Sequence, residues 1–97
     1  MKLIALYKQP ADPGAFDEAY FGKHLPLIQK VPGLHKTHIT RFTRSLAGPG
    51  YYLMAEMEFA DEAELKVAMK SPEMAAAGES LDSFAKGMYS LMFGEEQ

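Results

Sequence analysis

The chain has no cysteine among its 97 residues, so disulfide bonds, thiolate chemistry and cysteine-type zinc sites are excluded. It has no excess of positive charge: 10 Lys and Arg stand against 13 Asp and Glu, for a formal charge of −3. The cations are scattered among the acids, which leaves no basic footprint for nucleic acid. No apolar run reaches the roughly eighteen residues of a membrane span. The start, Met1-Lys2-Leu3-Ile4 with Lys8 close behind, lacks the apolar stretch and cleavage site of a signal peptide. There is no internal repeat and no low-complexity segment. Neither His-x-His nor His-x-x-x-His occurs, so no dedicated metal site is expected, and no bound cofactor either. With 47% apolar residues, the chain has enough to bury one modest core, and a single soluble cytoplasmic domain is expected.

Leu3 to Tyr7 is a short apolar run closed by Lys8-Gln9-Pro10, which predicts a buried strand. Asp12 is placed to cap a helix with Pro13 at its first position. Phe16, Ala19, Tyr20 and Leu27 then recur at helical spacing, predicting about four turns. Pro26 removes a backbone donor, so this helix should kink or loosen near His24, and Pro32-Gly33 stops it. Leu34–Leu46 and Tyr51–Ala60 are strand candidates, joined as a hairpin by Ala47-Gly48-Pro49-Gly50. In the second, Tyr51, Leu53, Ala55, Met57 and Phe59 alternate with Tyr52, Met54, Glu56 and Glu58. The first is less regular, with His38, Thr40 and Phe42 on the face of Leu34, and His35, Ile39 and Arg41 opposite. Asp61, followed by Glu64, reads as a capping box for a helix through Met69. Ser71-Pro72 interrupts it, and a second piece runs from Met74 to Ala77, weakened by Gly78, with a last turn at Leu81–Phe84. Gly87–Phe93 is a final apolar strand, and the acidic tail 94–97 is expected to be flexible.

The order is β-α-β-β-α-β. It predicts an α+β, ferredoxin-like fold with a four-stranded antiparallel sheet and helices on one face. In such a fold the other sheet face should be polar in a monomer. Here the first strand offers Ile4 and Leu6 on one side and Leu3, Ala5 and Tyr7 on the other. The last strand offers Met88 and Met92 against Tyr89, Leu91 and Phe93. With these two strands taken as a central pair, both faces are apolar, and a second copy of the sheet is the economical cover. A homodimer packed through its sheets is therefore expected.

The segment Tyr20-Phe21-Gly22-Lys23-His24-Leu25-Pro26-Leu27, followed by Val31-Pro32-Gly33-Leu34, resembles the signature of the EthD family. The opening Tyr7-Lys8-Gln9-Pro10-Ala11-Asp12-Pro13, with Phe16-Asp17, is also similar to it. The resemblance implies a small dimeric α+β barrel. The family takes its name from a protein needed for breakdown of ethyl tert-butyl ether. Relatives on the same barrel include monooxygenases, isomerases, cyclases and haem proteins, so the resemblance implies fold more than reaction.

His24 is the polar centre of that motif and the candidate catalytic residue. As a functional group it gives or takes a proton, or hydrogen-bonds a ligand. As a structural group it would cap the Gly22 carbonyl left free by Pro26. Tyr7 and Tyr20 are candidates to position a carbonyl or hydroxyl, and Tyr7 serves equally as core. His38 is a ligand-site candidate or a surface residue. Tyr52, Met54 and Glu56 are read as sharing one face. Glu56 is then an interface partner for Arg41 or Lys36, or an acid in a pocket. Met54, Met57, Met69, Met74, Met88 and Met92 suggest a methionine-heavy interior, adaptable to an irregular apolar ligand. Two functions follow as expectations. One is binding of a small apolar oxygenated compound. The other is cofactor-independent oxygenase, isomerase, cyclase or decarboxylase chemistry.

Overall fold

The first strand, β1 (Lys2–Lys8), alternates with a period of two: Leu3, Ala5 and Tyr7 are buried beneath the helices, while Ile4 and Leu6 are half-buried on the opposite face. The computed structural model describes residues 1–97. After β1 the chain enters α1 (Pro13–Ala19), where the Asp12 carboxylate accepts from the Ala15 amide at 3.1 Å and Pro13 needs no partner. The helical run continues through a π-turn, Tyr20–His24, into α2 (Leu25–Ile28). Gly33, at φ 81°, takes the left-handed conformation that ends the turn and launches β2 (Leu34–Arg41). Then follow β3 (Tyr51–Phe59), α3 (Glu62–Met69), α4 (Pro72–Ala85) and β4 (Tyr89–Gly94). Asp61 and Ser71 cap α3 and α4, accepting from the amides of Glu64 and Met74.

All strand pairs are antiparallel and the sheet order is β2-β3-β1-β4, the ferredoxin-like arrangement. The core lies between its helix-covered face and the broken helix, α3 and α4, with Leu53, Leu65, Ala68 and Ala85 fully enclosed. No helix is long and apolar enough to cross a membrane.

Several sequence expectations need correction. The central pair is β1 with β3, and β4 is an edge strand. The β2–β3 link is longer than four residues because the ladder ends at the Phe42 amide, which donates to Tyr52. Beyond it Ser45 Oγ donates to the carbonyls of Ala47 and Gly48, turning the chain locally. Helix α4 is continuous through Gly78: the Ser71 cap, Pro72 and the alanine run Ala75–Ala77 outweigh one glycine. The strand β4 extends into the tail, with Gly94 paired to Lys2. Of the six methionines expected inside, only Met57 is buried, and Met69 and Met92 are exposed.

The alternation in β3 also fails at one point. Tyr7 pairs with Leu53 and Lys8 with Tyr51, so Tyr52 is an extra, bulged residue. Both Tyr52 and Leu53 are consequently buried on the helix side. A second irregularity between Leu34 and Lys36 brings Leu34 onto the buried side with Thr37 and Ile39, away from His38 and Thr40.

Candidate functional site

Phe16, Tyr20, His24 and Ile28 are all buried and recur every fourth residue. In a regular α-helix each such step drifts by about 40° around the axis, so the fourth member would leave the core face. The π-turn removes that drift. The Leu25 amide donates to the Tyr20 carbonyl, five residues back, instead of to Phe21. The same widening accommodates Pro26, whose ring would collide with the Gly22 carbonyl in a straight helix. His24 does not cap that carbonyl: its side chain makes no capping bond.

Its imidazole points inward instead, with 3% of the residue exposed. The ring sits between Tyr20, 5.3 Å away by centroids, and Phe84 at 6.0 Å. Burial pushes the imidazole down to about 4, partly offset by a hydrogen bond to the Ala77 backbone. Nδ1 is the one fully buried side-chain nitrogen or oxygen in the chain without a partner.

His24 lines a cavity of about 180 Å³ between sheet and helices. Leu3, Ala5, Tyr7 and Met57 form its floor, and Met74, Ala77, Gly78 and Leu81 of α4 its roof. No charged side chain lines it. Its mouth lies between Met69 and Leu91, both exposed, where it joins a shallow apolar hollow with Met92 and Phe93. Gly78 matters here, because a Cβ at that position would meet nothing within 4 Å. A larger surface hollow of about 440 Å³ under the 42–50 loop touches none of the candidate residues.

The sequence candidates divide into three places. Tyr7, Tyr20 and His24 come together, with the Tyr7 and Tyr20 rings 5.4 Å apart. Burial raises both phenols, Tyr20 to about 12. Tyr52 is not beside Glu56. Its hydroxyl donates to Asp17 at 2.8 Å and accepts from Arg41, which also reaches Asp17 at 2.9 Å. That triad ties α1 to the sheet. His38, Met54 and Glu56 lie on the open sheet face, where His38 meets Glu58 at 2.6 Å and Glu56 meets Lys2 at 3.1 Å. Within the chain Glu56 is thus engaged by Lys2, and it does not line the cavity. No group of three His, Asp or Glu side chains converges as a metal site.

Sequence reasoning missed Ala77, Gly78, Leu81 and Leu91 as cavity residues. The available signal was Gly78, a helix-weakening residue inside a strongly helical stretch.

Residues 8–87 match the EthD domain. The chain belongs to the EthD family. An EthD family protein from Bacillus halodurans C-125 is 46% identical, with a TM-score of 0.94 over 99% of this chain and 97% of that one. An uncharacterised 11.0 kDa Rhodococcus erythropolis protein, from the thcB–thcC intergenic region, is 37% identical over 99% of this chain and 94% of its own. SnoaB, a cofactor-independent oxygenase from Streptomyces nogalater, seen as its N63A mutant, shares the fold at 12% identity. Its TM-score is 0.66, over 99% of this chain and 93% of that one. The EthD match thus includes the π-turn and most of the cavity wall.

Proposed function

We propose that this EthD protein binds a small, uncharged, mostly apolar oxygenated molecule in the cavity, with His24 as its hydrogen-bonding partner. The observation that carries this reading is the buried, unpartnered Nδ1 of a histidine on the wall of an apolar cavity. A buried polar atom without a partner costs about 1–3 kcal/mol, and a ligand that supplies the partner recovers it. Gly78 supports the same reading, since a mid-helix glycine costs about 1 kcal/mol relative to alanine and here leaves space open at the cavity roof.

Cofactor-independent catalysis at the same site is the second reading. It requires His24 to take a proton, and an imidazole held near 4 is a weak base at neutral pH. No carboxylate lines the cavity to strengthen it. Binding is therefore the primary function proposed, and proton transfer enters only with a ligand whose own charge raises the imidazole.

The open sheet face supports a homodimer. Ile4, Leu6 and Met54 are half-buried and Met92 is exposed there, flanked by the Lys2–Glu56 and His38–Glu58 pairs. An apolar centre with a charged rim has the anatomy of a protein interface.

The test of the binding reading is titration with p-cresol and with benzaldehyde, followed by the methyl resonances of Met57, Met69 and Met74. Saturable shifts at these methyls, abolished by Gly78→Leu, are expected. No saturable shift, or shifts that survive the filled cavity, would overturn it.

A further inference from the structure

The cavity does not end at its mouth. Leu3, Met69 and Leu91 line both the inner chamber of about 180 Å³ and the apolar hollow of about 250 Å³ outside it, so one continuous surface joins the two. Sites for organic molecules measure about 300–1,000 Å³. The chamber alone falls short of that range, and chamber and hollow together reach it. Exposure follows the same line. Of the eight large hydrophobic side chains exposed in this chain, Met69, Leu91, Met92 and Phe93 gather at the hollow. Scattered singly they would need no explanation, whereas a contiguous patch marks a binding surface. Edge strands ordinarily carry charge or proline against unwanted pairing, and β4 has neither between Tyr89 and Gly94. Its Leu91 and Phe93 pair with Ala5 and Leu3, which places them on the helix side where the cavity opens.

Resting on the binding reading above, we propose that the ligand is elongated. A compact uncharged head fills the chamber, and an unbranched alkyl chain leaves between Met69 and Leu91 to lie along Phe93. No charged side chain lines chamber or hollow, so a charged group on either part would lose its hydration without gaining a counter-ion. Leu91 and Phe93 stand two residues apart on one face, about 7 Å along the strand, and give the chain a straight track. Met69 and Met92 flank that track with side chains that adapt to an irregular apolar contour. A fully buried methylene gains about fourfold in affinity. Against a hollow open to water on one side, roughly twofold per methylene is expected.

Two probes with the same head separate chain from chamber: p-cresol and p-butylphenol, titrated against the intact protein. The expected result is p-butylphenol binding about eightfold tighter for its added methylenes, at one molecule per chain. Nuclear Overhauser contacts should join its terminal methyl to the Phe93 ring and the Met69 methyl. Phe93 lies outside both the core and the chamber wall, so Phe93→Ser should cancel most of the gain while p-cresol binding persists. Equal affinity for the two phenols, or a terminal methyl that touches only chamber residues, would overturn the alkyl track and leave the binding reading standing. A gain unchanged in Phe93→Ser would overturn it too, as unspecific partitioning. If Phe93→Ser instead dissociates a pair of chains, the hollow belongs to a second copy and the track is overturned. Failure of both phenols to bind would overturn the track and the binding reading together.

Discussion

The Leu25 amide donates to the carbonyl of Tyr20 rather than to that of Phe21. This one change of register keeps the Tyr20 and His24 rings 5.3 Å apart on the core side of the helix. Pro26 contributes by blocking the straight alternative. Pro26→Ala is expected to populate the α-helical register, which turns His24 out of the core and raises its pKa from about 4 toward its ordinary 6.5. Histidine titration by NMR reads this directly. An unchanged value would show that packing of the Phe16–Ile28 ladder alone imposes the π-turn.

The depressed His24 value has a consequence for stability. Its folded pKa, about 4, lies below the ordinary 6.5, so between these limits the unfolded chain binds more protons and stability rises with pH. The contribution is complete above pH 6.5 and is lost as pH falls toward 4. It amounts to roughly 3 kcal/mol, taking about 1.36 kcal/mol per pKa unit. Denaturant unfolding at pH 7 and pH 4 is expected to show a difference larger by that amount in the parent than in His24→Gln. Equal differences in the two proteins would refute the assignment.

Gly78 sets stability against cavity space. Gly78→Ala adds a methyl where nothing lies within 4 Å, and is expected to stabilise the fold by about 1 kcal/mol through helix propensity. Thermal unfolding should move upward by several degrees, on the scale of about 4–8 °C per kcal/mol for a domain of this size. A lower melting temperature would mean that the cavity roof packs more tightly than described.

The open sheet face predicts the assembly state. Leu6 stands there beside Met54 and Ser90 in the strand register, so Leu6→Glu places a charge in the proposed interface without touching the helix-side core. Sedimentation is expected to find a dimer for the parent and a monomer for Leu6→Glu, and likewise for Met92→Glu on the edge strand. A parent monomer at micromolar concentration, or dimers that survive both substitutions, would remove this face as the interface.

The legible parts of this protein are those written in local chemistry. Asp12-Pro13, Asp61 with Glu64, and Ser71-Pro72 announce helix starts because capping depends on neighbours in sequence. The two-residue alternation of β1 and most of β3 announces a half-buried sheet for the same reason. These features, with their order, sufficed for the ferredoxin-like fold, and the Tyr20–Leu34 motif sufficed for the family.

What the sequence could not place were residues whose position depends on register. One bulge moves Tyr52 to the helix side, away from Glu56 and toward Asp17 and Arg41. One π-turn aligns His24 with Phe16, Tyr20 and Ile28 in place of Leu27. A single extra residue in a ladder turns a side chain to the other face, and nothing within the segment itself records it. The cavity belongs to this second class entirely. It exists because Ala77 and Gly78 of one helix come to rest over His24 of another. Local propensity determined the elements and their order; long-range packing alone decided which polar side chain came to line an apolar cavity.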